Sequence, residues 1–195
     1  DELSAIELAC RYRRFSAHEH IIERDSATVD VFFVARGSVR VVNYSLSGRE
    51  ITFDDVAEGQ YFGELSALDG LPRSASVVAL EDSLIVALPG RHFVDLVLRK
   101  PHLAQRVMVR LARIIRNADE RIMDLSTLAA INRVQAELLR QARADDATAN
   151  AALIEPIPIH SDIASRVSTT RETVARALND LARKGLVKRT REGLL

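Results

Sequence analysis

The sequence predicts an α+β chain in three parts: β structure first, then one long helix, then a helix-turn-helix. Three observations predict it. Gly37, Gly48 and Gly59 punctuate the first half at intervals of eleven residues, among runs rich in Val, Phe and Tyr. Turn signals at that spacing indicate a meander, a barrel or a jelly roll. Apolar residues then recur in alternating steps of four and three at Ala104, Met108, Leu111, Ile115, Ala118, Ile122, Leu125 and Ala129. Such a 4-3 alternation is a heptad seam. Last, residues 161–178 form two short amphipathic stretches joined at Ser168-Thr169.

Taken in order, residues 29–34 and 38–44 read as strands, and 75–80 and 84–88 as two more. The period becomes helical from about His92. Pro101 marks the start of the long helix, because proline is tolerated in a first turn and not in an interior. Arg106, Arg110, Arg113, Arg116 and Arg121 stay off the seam. A two-helix dimer interface is favoured over a helix packed on its own domain, and the small alanines would let two helices approach closely. Residues 132–144 continue as helix, 145–152 are small and polar and read as a loop, and Pro156 and Pro158 flank an extended piece.

Composition limits the function classes. The 195 residues suit two domains. With 47% hydrophobic and 28% charged residues, packed cores are expected and disorder is not. No apolar run approaches the roughly 18 residues of a membrane span, and nothing after the initial Asp1 reads as a signal peptide. The single cysteine, Cys10, cannot close an internal disulfide or supply a Cys-ligated cluster or zinc site. The expected setting is cytoplasmic, with no membrane partner. Net charge is zero, but residues 156–195 carry eight cations against four anions, +4, which leaves −4 on the rest. A basic C-terminal module hints at nucleic acid.

The most informative stretch is 62–75: Phe62, Gly63, Glu64, Leu65, then Ser66 to Pro72, then Arg73, Ser74 and Ala75. Gly63 permits a tight turn and close backbone approach. Glu64 to Leu68 could form a short helix whose free N–H groups face an anion. Arg73 offers a planar fork for phosphate oxygens, and Ser74 a hydroxyl beside it. Glu64 could accept from a ribose hydroxyl, so Glu64 and Arg73 together suit a sugar phosphate better than a bare anion.

The second signal is 161–178. Ser161 is read as the N-cap of the first helix and Thr170 as that of the second. Ile163, Ala164 and Val167 face inward from the first helix; Val174, Ala177, Leu178 and Leu181 do so from the second. Arg171, Glu172 and Arg176 fall on the other side, near the end of a recognition helix that meets base edges. Arginine pairs bidentately with guanine and glutamate accepts from the cytosine amino group, so these residues suit G·C pairs. Lys184 to Val187 read as a helix stop and a return strand, and Lys188 to Arg191 with Gly193 as a basic winged hairpin lying over phosphate.

These two stretches, in this order around a heptad helix, resemble the catabolite activator protein (cAMP receptor protein)/FNR superfamily of transcription regulators. The resemblance runs over most of the chain. It implies an N-terminal β-roll, jelly-roll-like, acting as sensor, a long dimerisation helix and a C-terminal winged helix-turn-helix, with boundaries at 1–100, 101–131 and 132–195. It implies a homodimeric, allosteric, cyclic-nucleotide-responsive regulator or activator that works with RNA polymerase on palindromic double-stranded DNA with TGTGA-like half-sites. The effector would be cAMP or cGMP, without metal. Phe62, Gly63, Glu64, Leu65, Arg73, Ser74 and Ala75 would line the ligand, Gly63 and Glu64 meeting ribose and Arg73 and Ser74 meeting phosphate. Thr170 and Thr173 would touch DNA phosphates; Ser161, Arg171, Glu172 and Arg176 complete the DNA-binding set. Residues 145–152 are a polymerase-contact candidate by family position.

One departure bears on the base. Where the family has a hydroxyl pair on the long helix, this chain has Ala118 and Asp119, with Asn117 adjacent. Asp119 could accept from the adenine amino group or from the paired N–H donors of guanine, the second being the better geometric match. Arg73→Ala is expected to weaken nucleotide binding and spare the fold. Other readings are a ligand-independent regulator, and a haem- or redox-sensing one, although no His lies between His102 and His160. The His18-x-His20 and Glu23 set also resembles the metal motif of cupin enzymes, but metal chemistry needs three or four convergent ligands and no enzyme is expected.

Overall fold

The computed structural model describes residues 2–144, 152–190 and 193–195. The chain forms two compact units, residues 1–112 and 113–195. The boundary falls inside the long helix, not at either end of it.

Among the described residues the first unit holds α1 (Glu2–Ala9) and eight strands: β1 (Arg11–Phe15), β2 (His20–Ile22), β3 (Val31–Arg36), β4 (Ser38–Tyr44), β5 (Glu50–Ala57), β6 (Tyr61–Phe62), β7 (Ser76–Ala79) and β8 (Ser83–Leu88). The strands make two antiparallel four-stranded sheets, ordered β1-β8-β3-β6 and β2-β7-β4-β5. Phe15, Phe32, Val34, Phe62 and Ile85 of the first sheet meet Ile22, Val39, Val56 and Val77 of the second in one buried core. This is a jelly-roll-like sandwich, as expected from the glycine spacing. Gly37, Gly48 and Gly59 all have positive φ, as turn glycines do.

Five elements were not expected from the pattern: α1, β1, β2, β5 and β6. Strand β1 reads Arg-Tyr-Arg-Arg-Phe and lies at a sheet edge with only Phe15 buried, so apolar alternation never develops. Strand β6 is two residues long, and α1 precedes the β-roll. After the strands, α3 (Gly90–Arg99) and the first turns of α4 (Pro101–Thr127) cover the roll. Val31, Leu88, Phe93 and Val107 form the buried centre of that contact, joined by half-buried Tyr61 and Leu111. Pro101 is the first residue of α4. Leu111, assigned to the seam, therefore packs on its own unit.

The helix does not run through to 144. It stops at Thr127, and α5 (Ala130–Ala144) starts after a break at Leu128-Ala129. Ala129, the last seam residue, lies in that break. Helices α6 (His160–Arg166) and α7 (Arg171–Arg183) complete the second unit. Val134, Leu138, Ile163, Val167, Val174 and Leu181 are its core. The wing is held by Lys188 and Leu195, each donating its N–H to the other's carbonyl, at 2.6 and 2.8 Å, and by Thr190 N–H on the Gly193 carbonyl at 2.9 Å. Bridges at Arg189–Leu194 and Ile154–Leu194 stand in place of the expected regular return strand. The loop read at 145–152 and the wing residue Arg191 lie largely or wholly outside the described residues.

Candidate functional site

The cassette begins where β6 ends. Gly63 (φ 80°) starts α2 (Glu64–Asp69), and Gly70 (φ 72°) ends it. A Cβ at position 63 would lie 2.8 Å from Arg73 Nη1, so the glycine allows Arg73 to reach the chain here. Arg73 is 2% exposed. Its Nε donates to Thr28 Oγ1 at 3.0 Å, Nη1 to the Gly63 carbonyl at 2.7 Å, and Nη2 to the Asp30 carbonyl at 2.7 Å. Its backbone is pinned too: Arg73 N–H donates to the Ser26 carbonyl and Asp25 N–H to the Arg73 carbonyl. The guanidinium also lies 5.5 Å from the Phe32 ring centroid. The segment 25–30 thus builds the seat of Arg73. It escaped the sequence reading because it contributes mainly carbonyl oxygens, which every residue has.

A guanidinium carries five N–H donors. Three are used, and one remains on each terminal nitrogen. Bidentate recognition of an anion draws on two such donors.

Glu64 is 5% exposed. Burial pushes its carboxyl above the usual range; its own backbone N–H, Arg110 and Arg73 pull the other way, and Asp54 adds to the rise. Burial lowers the Arg73 guanidinium, opposed by Asp30 and Glu64. Ser74 and Leu65 are exposed and Ala75 is half-buried. Asn43 Nδ2 donates to the Ser74 carbonyl at 3.2 Å.

Phe62 needs correcting. Its side chain is 2% exposed and stacks on Phe32, with centroids 5.3 Å apart, so it belongs to the core. Alternation along β6 turns its ring inward, into the core between the sheets. The expectation that Arg73→Ala spares the fold is also untenable, because Arg73 is a buried bracing residue. Asn117, Ala118 and Asp119 are exposed on α4 in the second unit.

In the second unit, α7 begins at Thr170, whose Oγ1 accepts from Thr173 N–H. Ser161 is not a cap. Helix α6 starts one residue earlier, after extended Ile159, and Ser161 sits in its first turn with its hydroxyl on Asp162 at 3.3 Å. Arg171, Glu172 and Arg176 are exposed on one side of α7, opposite buried Val174, Ala177 and Leu181. Thr173 is 9% exposed, and Arg176 Nη2 donates to its hydroxyl at 3.3 Å. The Glu172 carboxyl is held below its usual range by its own backbone N–H, by the Thr170 hydroxyl, and by Arg171 and Arg176. It stays an acceptor at any neutral pH.

Ser168 occupies the turn with φ 52°, the left-handed region. A non-glycine residue is strained there. Ser168→Gly is expected to stabilise the second unit by about 0.5–1 kcal/mol in denaturant titration. Sequence reading also missed Arg133. Its Nε donates to the Val167 carbonyl at 2.9 Å, Nη1 to Leu128 at 2.9 Å and Nη2 to Ser168 at 3.3 Å. One side chain therefore ties the helix break to the helix-turn-helix turn.

His20 Nδ1 lies 3.0 Å from Glu23 Oε1. Among the described residues no group of three or more His, Cys, Asp or Glu could hold a metal ion, and no helix is long and apolar enough to cross a membrane.

The family model for a cyclic nucleotide-binding domain matches residues 12–100, and that for a Crp-like helix-turn-helix domain matches 132–195. A cyclic AMP receptor protein of Thermus thermophilus is 37% identical over 160 residues, 81% of this chain and 70% of its own length. A cAMP-activated global transcriptional regulator of Escherichia coli is 24% identical over 91% of this chain and 85% of its own. Among solved structures, the Thermus thermophilus catabolite activator protein is 33% identical with TM-score 0.57, covering 97% of this chain and 86% of that one. A c-di-GMP-responsive regulator of Xanthomonas campestris has TM-score 0.80 at 15% identity, covering 96% and 94%; at that identity it speaks for the fold alone. With both domain models in order and a relative above a third identical, the chain belongs to the cAMP receptor protein/FNR family and is a cyclic-nucleotide-binding, DNA-binding transcription regulator.

Proposed function

We propose that this regulator acts as a cytoplasmic homodimer whose β-roll takes cAMP or cGMP at Gly63, Glu64, Arg73 and Ser74. The observation that carries the reading is Arg73 itself. It is a buried cation, braced on three sides, with a two-donor fork to spare beside a buried carboxylate. A cyclic phosphate supplies two oxygens for the fork, and the adjoining ribose supplies a hydroxyl for Glu64. Relatives named for cyclic AMP favour cAMP. Asp119, an exposed acceptor on α4, favours the guanine edge.

The exposed apolar residues Met108, Ile115, Ile122 and Leu125 of α4 supply the dimer seam. Ile115→Glu places a charge on that seam, and sedimentation should show a monomer at concentrations where the parent is a dimer. Paired α7 helices would then enter successive major grooves, about 34 Å apart, on a palindromic TGTGA-like site. There Arg171 and Arg176 meet guanine, Glu172 meets cytosine, and Thr170, Thr173 and the wing meet phosphate. RNA polymerase is the partner at such a site. The nucleotide shifts the population toward this geometry only by its differential affinity for the two states. Arg171→Ala is expected to lose about 1–3 kcal/mol of discrimination at one G·C position, with nucleotide affinity unchanged.

The test is calorimetric titration with cAMP and, separately, cGMP, on the parent and on Glu64→Gln. Glu64→Gln keeps the shape and removes the buried charge. A group whose folded pKa is raised contributes stability at low pH that is lost as pH rises through the folded value. With its carboxyl pushed up by burial, Glu64 therefore weakens the ligand-free fold above the ordinary carboxylate range. Glu64→Gln should weaken nucleotide binding and yet melt about 2–4 °C higher without ligand. A lower melting point would sink the sign of that argument. Binding of neither nucleotide by the parent would sink the effector.

A further inference from the structure

Among the described residues four buried side-chain polar atoms have no hydrogen-bond partner: Asn43 Oδ1, Tyr61 Oη, His92 Nδ1 and Arg110 Nε. The first belongs to a side chain that is tied to the cassette by its other end, since Asn43 Nδ2 donates to the Ser74 carbonyl at 3.2 Å. Asn43 stands one residue from the end of β4, paired with Ile51 of β5 on one side. On the other side the ladder to β7 ends at Val42 and Ser76, so Asn43 faces the residues that lead out of the cassette into that strand. Two costs attach to it. Asparagine is depleted in strands, and a buried acceptor without a donor lowers stability. Val39, Val41 and Val42 stand in the same strand, and a residue of their kind at 43 would carry neither cost. Departures from local preference of this sort gather at functional positions.

We propose that Asn43 is a positioning residue for the phosphate end of the cassette, holding the Ser74 carbonyl so that the Ser74 hydroxyl is aimed at a phosphate oxygen before ligand arrives. The claim rests on the nucleotide reading above and deepens it. Arg73 needs no such help. Its side chain is braced by Thr28, Gly63 and Asp30, and its backbone by Asp25 and Ser26. Ser74 is exposed, and its carbonyl is held by Asn43. The carbonyl carbon and Cβ of Ser74 hang from the same Cα, so fixing the first restricts where the hydroxyl points. A donor fixed in advance loses less freedom when it meets its acceptor, and that saving appears as affinity. The cassette exit is thus pinned from two sides, Arg73 by the segment 25–30 and Ser74 by β4.

The test is a double-mutant cycle of Asn43→Leu and Ser74→Ala, titrated by calorimetry with whichever of cAMP and cGMP the parent binds. Leucine is close to asparagine in shape and removes both the donor and the orphaned acceptor. Each single variant should weaken binding at least about threefold. The double variant should be no more than about twofold weaker than the weaker single, because both changes act through one hydroxyl. Without ligand, Asn43→Leu should melt no lower than the parent, since the orphaned acceptor is gone. A residue that merely braced the sheet would lower melting point and affinity together. Should Asn43→Leu fail to fold by circular dichroism, Asn43→Val repeats the cycle. Parental affinity in the Asn43 variant, losses that multiply in the double variant, or a lower melting point each overturn the positioning role. A parent that binds neither nucleotide overturns the effector reading, and this role with it, before any variant is compared.

Discussion

Arg73→Ala is expected to abolish measurable nucleotide binding and, independently of ligand, to cost the first unit about 2–4 kcal/mol. The stability loss follows from what the guanidinium leaves behind. Truncation strips donors from the carbonyls of Gly63 and Asp30 and from the Thr28 hydroxyl. Each unsatisfied buried acceptor is worth about 1–3 kcal/mol. Against that, a desolvated cation is removed, since burial lowers the Arg73 guanidinium. The two carbonyls decide the balance: Gly63 and Asp30 are half-buried and no other donor of the cassette reaches them, whereas Thr28 is exposed and its hydroxyl turns to water. For a domain with a total stability of about 5–15 kcal/mol, the loss is large. Urea titration without nucleotide checks it. Arg73→Lys should recover part of the stability, since an ammonium can satisfy some carbonyls, but little of the affinity, because it offers no planar fork. An unchanged midpoint for Arg73→Ala would mean the carbonyls find water, and the bracing role would fall.

Arg133→Met should destabilise the second unit by a similar amount, about 2–4 kcal/mol, and weaken DNA binding beyond what that loss alone explains. Its three acceptors come from two places in the chain: Leu128 at the helix break, and Val167 and Ser168 at the turn before α7. Methionine retains much of the aliphatic stem, so the packing penalty is small and the readout reports hydrogen bonds. Ser168 is already strained at φ 52°. Losing the donor to its carbonyl frees the turn that aims α7. Thermal melting read beside DNA titration separates the two effects. Unimpaired DNA affinity at a temperature where the variant is fully folded would show that the turn needs no such brace.

Much of this was legible in the sequence because it was carried by side-chain type and spacing. The turn glycines, Pro101, the Thr170 cap and the inward stripe of Val174, Ala177 and Leu181 stand where the pattern put them. What was not legible has a common cause. The seats of Arg73 and Arg133 are backbone carbonyls, which carry no residue signature. The break at Leu128-Ala129 falls on two good helix formers, and the 4-3 pattern reaches into it without a stop signal. Strand β1 hides behind three arginines at an open edge. Phe62 was assigned by proximity to Gly63, whereas the alternation of a strand put it on the opposite face. Arg110 stands off the seam, and only the fold brings the Tyr61 ring beneath its guanidinium, 4.7 Å away.

The buried Glu64 carboxylate has a consequence for the protein's persistence. Nucleotide binds the folded roll and not the unfolded chain, so ligand raises the stability of the whole in proportion to the logarithm of its concentration. Proteolysis acts largely on opened molecules. A chain that begins with an acidic group held in its interior has fewer kilocalories in hand when empty, and its half-life in the cell should lengthen as nucleotide rises. The same molecule that tells this regulator when to act then also governs how much of it survives to do so.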